Sequence, residues 1–177
     1  SNYHGDSAVR FYDVSEDEWM APHVRKVKTN GIVKGYSDEA GPTGYYGPGD
    51  DVRLIEVLAI AMRLAGEVDE DTAYPDGYLE KLDDLNISDL NTVTYLDWGS
   101  PATRLDALII MNRVIGITGE SYVAGTFPDV TGEDDFSKDA MASYSAGFFM
   151  GEGGTGNLNP YAHMNRAAFS KVAGVAL

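Results

Sequence analysis

Two arginines stand where helices are expected to begin. Thr103-Arg104-Leu105-Asp106 and Asn165-Arg166-Ala167-Ala168 each put a capping residue first and a guanidinium at the opening helical position. Free backbone amides and the positive end of the helix dipole favour an anion at such a place. A planar guanidinium adds two parallel donors that match a carboxylate. The competing reading is an ordinary ion pair with a neighbouring acid. Catalytic chemistry finds no comparable support. His4, His23 and His163 are scattered, with no metal-ligand spacing. No nucleophile elbow or phosphate-binding glycine loop occurs. Adjacent acids such as Asp134 and Asp135 carry little weight among 28 acidic residues. Asp69-Glu70-Asp71 and Gly132-Glu133-Asp134-Asp135 do not follow the twelve-residue calcium loop and read as solvated linkers. No catalytic group, cofactor or metal is expected.

The bulk composition narrows the partners. The chain has 177 residues, 44% of them hydrophobic, enough for one compact domain with a real core. A net charge of -15 leaves no basic stripe for nucleic acid and disfavours an anionic membrane surface, although it suits an exported protein. With no cysteine there are no disulfides or thiolate sites. No apolar run approaches the roughly 20 residues of a membrane span, and no stretch reads as a signal peptide.

The elements that must position the arginines come from an internal repeat. Phe11-Tyr12-Asp13-Val14 returns as Phe127-Pro128-Asp129-Val130. Eighteen residues after each aspartate comes a glycine-bounded segment, Gly31-Ile32-Val33-Lys34-Gly35 and then Gly147-Phe148-Phe149-Met150-Gly151. A proline turn follows each, at Pro48 and Pro160, and then a helix start. The 116-residue offset leaves room for one more, degenerate copy. In it Leu85-Asn86-Ile87 stands in place of Asn30-Gly31-Ile32, and Thr103 opens the second helix. The copies span residues 8–66, 67–117 and 122–177.

Each copy reads as helix, loop, helix. Ser15 is a good N-cap with acids behind it, so the first helix is expected from there, with Trp19, Val24 and Val27 on a buried stripe and Asn30-Gly31 as the stop. Thr103 and Asp106 form a capping box for the second helix of copy two, which ends at Gly116. That helix, the one from Val52 to Ala65, and the one from Asn165 to Leu177 carry apolar residues on most sides and belong at the centre of a domain. The expected fold is mainly α: three helix-loop-helix repeats forming a pseudo-threefold trimer around a central three-helix bundle.

The motif order resembles the S-layer homology family. Copy one supplies Phe11-Tyr12-Asp13-Val14, Trp19 and Gly31-Ile32-Val33-Lys34-Gly35-Tyr36; copies two and three supply the Thr103 and Asn165 helix starts. The resemblance implies a non-catalytic module on the bacterial cell surface. It would anchor a larger protein to a secondary cell-wall polysaccharide, anionic and often pyruvylated, in grooves between repeats. The alternative is a structural module for surface-layer subunit assembly, without glycan binding.

On that resemblance the glycan-contacting candidates are Arg104, Arg166, Asp13, Trp19, Gly35, Tyr36, Asp129 and Gly151. The arginines suit a carboxylate, the glycines admit close backbone approach, and Trp19 or Tyr36 could stack on a sugar face. Asp13 and Asp129 read more readily as residues that cap helices or hold loops, and Trp19 as core. Copy one departs from the family pattern because Leu54 takes the arginine slot and Arg53 lies one place earlier. Copy two lacks the Phe-x-Asp-Val start, and copy three has Ala168 in place of the acid.

Overall fold

The computed structural model describes residues 10–86 and 97–177. Among the described residues the chain is mainly helical, with six helices and one small two-stranded sheet. The elements are α1 (Ala21–Thr29), β1 (Ser37–Asp38), β2 (Gly41–Pro42), α2 (Leu54–Leu64), α3 (Asp76–Asp84), α4 (Arg104–Ile115), α5 (Ser137–Ser145) and α6 (Arg166–Ala176). The two strands form an antiparallel hairpin in which Ser37 faces Pro42 and Asp38 faces Gly41.

The first helix begins later than its acidic run suggests. Residues 16–20 form turns, and the Ser15 amide donates to Glu18 Oε2 at 2.8 Å. The α-helix opens only at Ala21, with Pro22 in its first turn. Proline is favoured at that position because its missing N–H would have no partner there, and it disfavours helical backbone just before it. Trp19 therefore lies ahead of the helix and 57% exposed, not on the buried stripe; Val24 and Val27 are buried as expected. The helix stop is as the repeat predicts. Gly31 and Gly147 have φ of 71° and 81°, and Asn86, aligned with them in the sequence, has φ of 56°. Ile87, expected to follow it, lies outside the described residues.

The long helices form the core. The Thr103 side chain accepts from the Asp106 amide at 3.0 Å while Asp106 Oδ2 accepts from the Thr103 amide at 2.9 Å, and Gly116 ends α4 in a left-handed conformation. Helix α2 buries Leu54, Ile55, Val57, Leu58, Ile60 and Met62, and it packs against both α4 and α6. Each short helix lies on a long helix: α1 on α6, α3 on α2, and α5 on α4.

Three extended segments join the starts of the long helices. The Val52 amide donates to the Met164 carbonyl at 2.8 Å, Ala102 donates to Val52 at 2.8 Å, and Met164 donates to Ala102 at 3.1 Å. The chain of bonds closes on itself. Leu54, Arg104 and Arg166 then donate from their own amides to Ser100, Ala162 and Asp50 at 3.0, 2.9 and 2.9 Å. Ile55, Leu105 and Ala167 repeat the pattern onto Trp98, Pro160 and Pro48. These bonds consume the helix amides that the sequence offered to an anion. In α4 and α6 the next amide is taken too, by Thr103 and Asn165. An anion near these helix starts finds no free backbone amide in their first turn.

Candidate functional site

Arg104 and Arg166 are not solvated cations. Each is only 7% exposed, and each reaches away from its helix into a loop of another part of the chain. Arg166 Nε donates to the Tyr46 carbonyl at 2.6 Å, its NH1 pairs with Glu56, and its guanidinium lies 4.5 and 4.8 Å from the Tyr36 and Tyr46 ring centroids. Arg104 Nε donates to the Leu158 carbonyl at 2.6 Å, its NH1 lies 3.4 Å from Glu152 Oε1, and it faces the Phe149 ring at 5.5 Å. Burial pushes the Arg104 pKa down, and the neighbouring Glu152 and Asp129 charges oppose that shift.

Each arginine borders an open groove. The first, about 440 Å³, lies between the Val33-to-Ser37 loop, the solvent side of α2 and the approach to α3. Its walls carry Tyr36, Arg53, Glu56, Arg63, Tyr74 and Tyr78, with Lys34 and Arg166. The second, about 480 Å³, lies between the Gly147-to-Gly153 loop and α6, with Trp19 at one edge. The two are built alike. Gly35-Tyr36 in one corresponds to Gly151-Glu152 in the other, and Glu56 and Ala59 on α2 correspond to Ala168 and Lys171 on α6. Tyr74 stands two residues ahead of α3 just as Trp19 stands two residues ahead of α1. Four more residues separate Tyr36 from Tyr46 than Glu152 from Leu158, and the β1–β2 hairpin uses them.

The glycines shape both lips. Gly35 has φ of 74°, and a Cβ there would strike the Phe11 ring and come within 2.7 Å of the Tyr45 carbonyl. Gly151 has φ of 86° and leaves no space for a Cβ against the backbone of Gly156. Asp13 and Asp129 hold the following turns. Asp13 accepts from the Tyr46 and Gly47 amides, both at 2.8 Å, and Asp129 accepts from Leu158 and Asn159 at 2.8 and 2.9 Å. They thereby fix the two carbonyls onto which Arg166 and Arg104 donate.

Six of the expected residues thus gather at the grooves: Arg166, Gly35 and Tyr36 at the first, and Arg104, Gly151 and Trp19 at the second. Asp13 and Asp129 line neither groove and lie behind the loops. Tyr36 donates to Asp50 Oδ2 at 2.7 Å, and its pKa is raised, first by burial and then by that bond. Sequence reasoning missed Arg53, Arg63, Tyr74 and Tyr78 at the first groove and Glu152 and Lys171 at the second. The matching positions of Trp19 and Tyr74 ahead of α1 and α3 could not be read from the sequence, because the first helix was expected to start at Ser15 and to include Trp19. Among the described residues no group of three or more histidines and acids is placed to hold a metal, and no helix is long and apolar enough to cross a membrane.

No curated protein matches the chain. The family model described as the S-layer homology domain does match it, over residues 10–52. That stretch runs from Arg10, ahead of the Phe11 loop, through α1, the Gly35-Tyr36 lip and the Asp13-fastened turn to Val52. Residues 10–52 are thus similar to the S-layer homology domain, a type of module that generally anchors proteins to the cell wall.

Proposed function

We propose that this chain anchors a bacterial surface protein non-covalently to a secondary cell-wall polysaccharide, through the groove beside Arg166. One observation carries this reading. In a chain of net charge -15, that groove is lined by Lys34, Arg53, Arg63 and Arg166 against the single acid Glu56. Such a local cation surplus selects an anionic ligand despite long-range repulsion. Tyr36, Tyr74 and Tyr78 supply aromatic faces and hydroxyls of the kind a sugar ring uses. A pyruvate ketal fits this mixture, since it sets a carboxylate beside an apolar methyl group. Gly35 fits the lip of the groove closely against Phe11 and Tyr45, and Asp13 keeps the Tyr46 turn in place beneath it.

The same reading divides the chain into copies at 8–66, 67–117 and 122–177, arranged about a pseudo-threefold axis. The closed hydrogen-bond circuit through Val52, Ala102 and Met164 supports that arrangement. The chain acts in this reading as a binding module on the outside of the cell, with no catalytic step. The test is a pull-down with sacculi from the source organism, intact and after acid removal of the secondary polymer. Binding lost on stripping, and weakened in a folded Arg53→Gln protein, supports the anchor. Equal binding to stripped walls sinks it.

A second reading, subunit assembly without glycan, has its own observation. Tyr12 and Tyr45 are exposed side by side, with ring centroids 5.6 Å apart. Concentration-dependent self-association in sedimentation, without binding to intact sacculi, would favour assembly.

A further inference from the structure

The second groove repeats the first in shape but not in charge. Its glycine lip is followed by Glu152 where the first groove has Tyr36, and its helix carries Ala168 where the first has Glu56. The acid has moved from the helix wall to the loop. That change alters what Arg104 can offer a ligand.

In the first groove, Glu56 is shared. Its Oε1 accepts from the Arg53 amide and Nε at 3.0 and 3.1 Å, and its Oε2 pairs with Arg166. One carboxylate between two guanidiniums leaves positive charge over, and Lys34 and Arg63 add to it. In the second groove, Glu152 has Arg104 as its guanidinium partner, with NH1 to Oε1 at 3.4 Å. The Asn159 side-chain amide donates to its other oxygen, and the Glu152 amide donates to the Asn157 carbonyl at 2.8 Å, so the acid is held at the lip. Arg104 already commits Nε to Leu158. A ligand carboxylate approaching the remaining guanidinium edge would stand beside a carboxylate that is already there.

We infer that Glu152 is a built-in carboxylate that closes the Arg104 groove to acidic sugars, so that the chain takes an acidic saccharide at the Arg166 groove alone. The inference rests on the proposed carbohydrate reading and makes Glu152 the residue that separates two otherwise similar grooves. Lys171 also lines the second groove, and it leaves that groove without the surplus of the first.

The experiment is titration calorimetry of the whole chain with a methyl hexopyranoside carrying a pyruvate ketal, comparing the unaltered protein with Glu152→Gln. Glutamine keeps the size of the side chain and an acceptor for Asn159 while removing the charge. The expected result is one equivalent bound by the unaltered protein and two by Glu152→Gln, with the added equivalent lost again in Glu152→Gln/Arg104→Lys. Two equivalents bound without any substitution, or no added equivalent in Glu152→Gln, overturns the inference. An added equivalent in Glu152→Gln over none in the unaltered protein supports the role of Glu152 and refutes the Arg166 site. Matched far-ultraviolet spectra and melting curves ensure that all three proteins are folded.

Discussion

Arg166 Nε donates to the carbonyl of Tyr46, a residue 120 positions earlier in the chain, at 2.6 Å. The guanidinium that opens the last helix is thus seated in the loop ahead of α2. Its NH1 pairs with Glu56 on α2, and both side chains are largely withdrawn from water. Removing one member of a buried pair leaves the other charged and unpartnered. Arg166→Ala is expected to lose about 3–5 kcal/mol of unfolding free energy. Arg53→Gln, which alters a half-exposed side chain of the same groove, is expected to lose no more than about 1 kcal/mol. Urea denaturation of the two variants checks this, and similar losses would mean that Arg166 is not the tie between α6 and the Tyr46 loop.

Asp13 and Asp129 do equivalent work at separate loops, each taking two backbone amides on its two carboxylate oxygens. An asparagine retains one acceptor and loses the charge. Asp13→Asn and Asp129→Asn are each expected to cost about 1.5–3 kcal/mol. The two residues share no hydrogen-bond partner, so the double variant should lose the sum of the single losses within about 0.5 kcal/mol. Thermal and chemical unfolding of the three proteins measures it. A large non-additive term would show that the loops fold as one unit.

The ends and interiors of the long helices were legible in the sequence because local chemistry writes them. Thr103 and Asp106 sit three residues apart and cap each other, and Gly116 supplies the left-handed stop. Asn86 was readable as a helix stop, after α3, because asparagine tolerates the positive φ that Gly31 and Gly147 adopt. The start of α1 was misread because acids after Ser15 mimic a first turn, whereas Pro22 decides where the helix begins. Tertiary pairing was harder to read. The amides of Arg104 and Arg166 look free when one helix is considered alone, yet Ala162 and Asp50, remote in sequence, already take them. The same limit hid the pairing of Glu152 with Arg104, a guanidinium that lies 48 positions earlier in the sequence.

Glycine is required at the two groove lips by both backbone angle and space. Gly35→Ala and Gly151→Ala place a side chain at positive φ, at about 1–2 kcal/mol, and also push against Tyr45 or Gly156. Each is expected to fall by at least that amount in stability and to weaken sugar binding at its own groove where that groove binds. Gly49 serves as the contrast, because a Cβ added there would meet nothing within 4 Å and its φ is not positive. Gly49→Ala should be neutral or stabilising by up to about 1 kcal/mol, through a less flexible unfolded chain. Equal losses at Gly35 and Gly49 would remove the geometric reason for the lip glycines.

Tyr46 links the seat of Arg166 to the pH dependence of the fold. Its hydroxyl lies against the Arg166 carbonyl at 3.2 Å and against Ser170 Oγ, inside the core. Burial raises its pKa above the usual 10.0, with the Ser170 bond and the Arg166 charge pulling the other way. The unfolded chain therefore gives up this proton at a lower pH than the folded one. Stability from the neutral phenol is complete below about pH 10 and falls as pH rises from there through the folded-state value. Tyr46→Phe should cost about 1 kcal/mol at neutral pH, for the lost hydrogen bond, yet show a shallower decline above about pH 10. Unfolding free energies of both proteins between neutral and strongly alkaline pH supply the comparison. Parallel curves across the alkaline range would show that Tyr46 ionises no later in the folded chain than in the unfolded one.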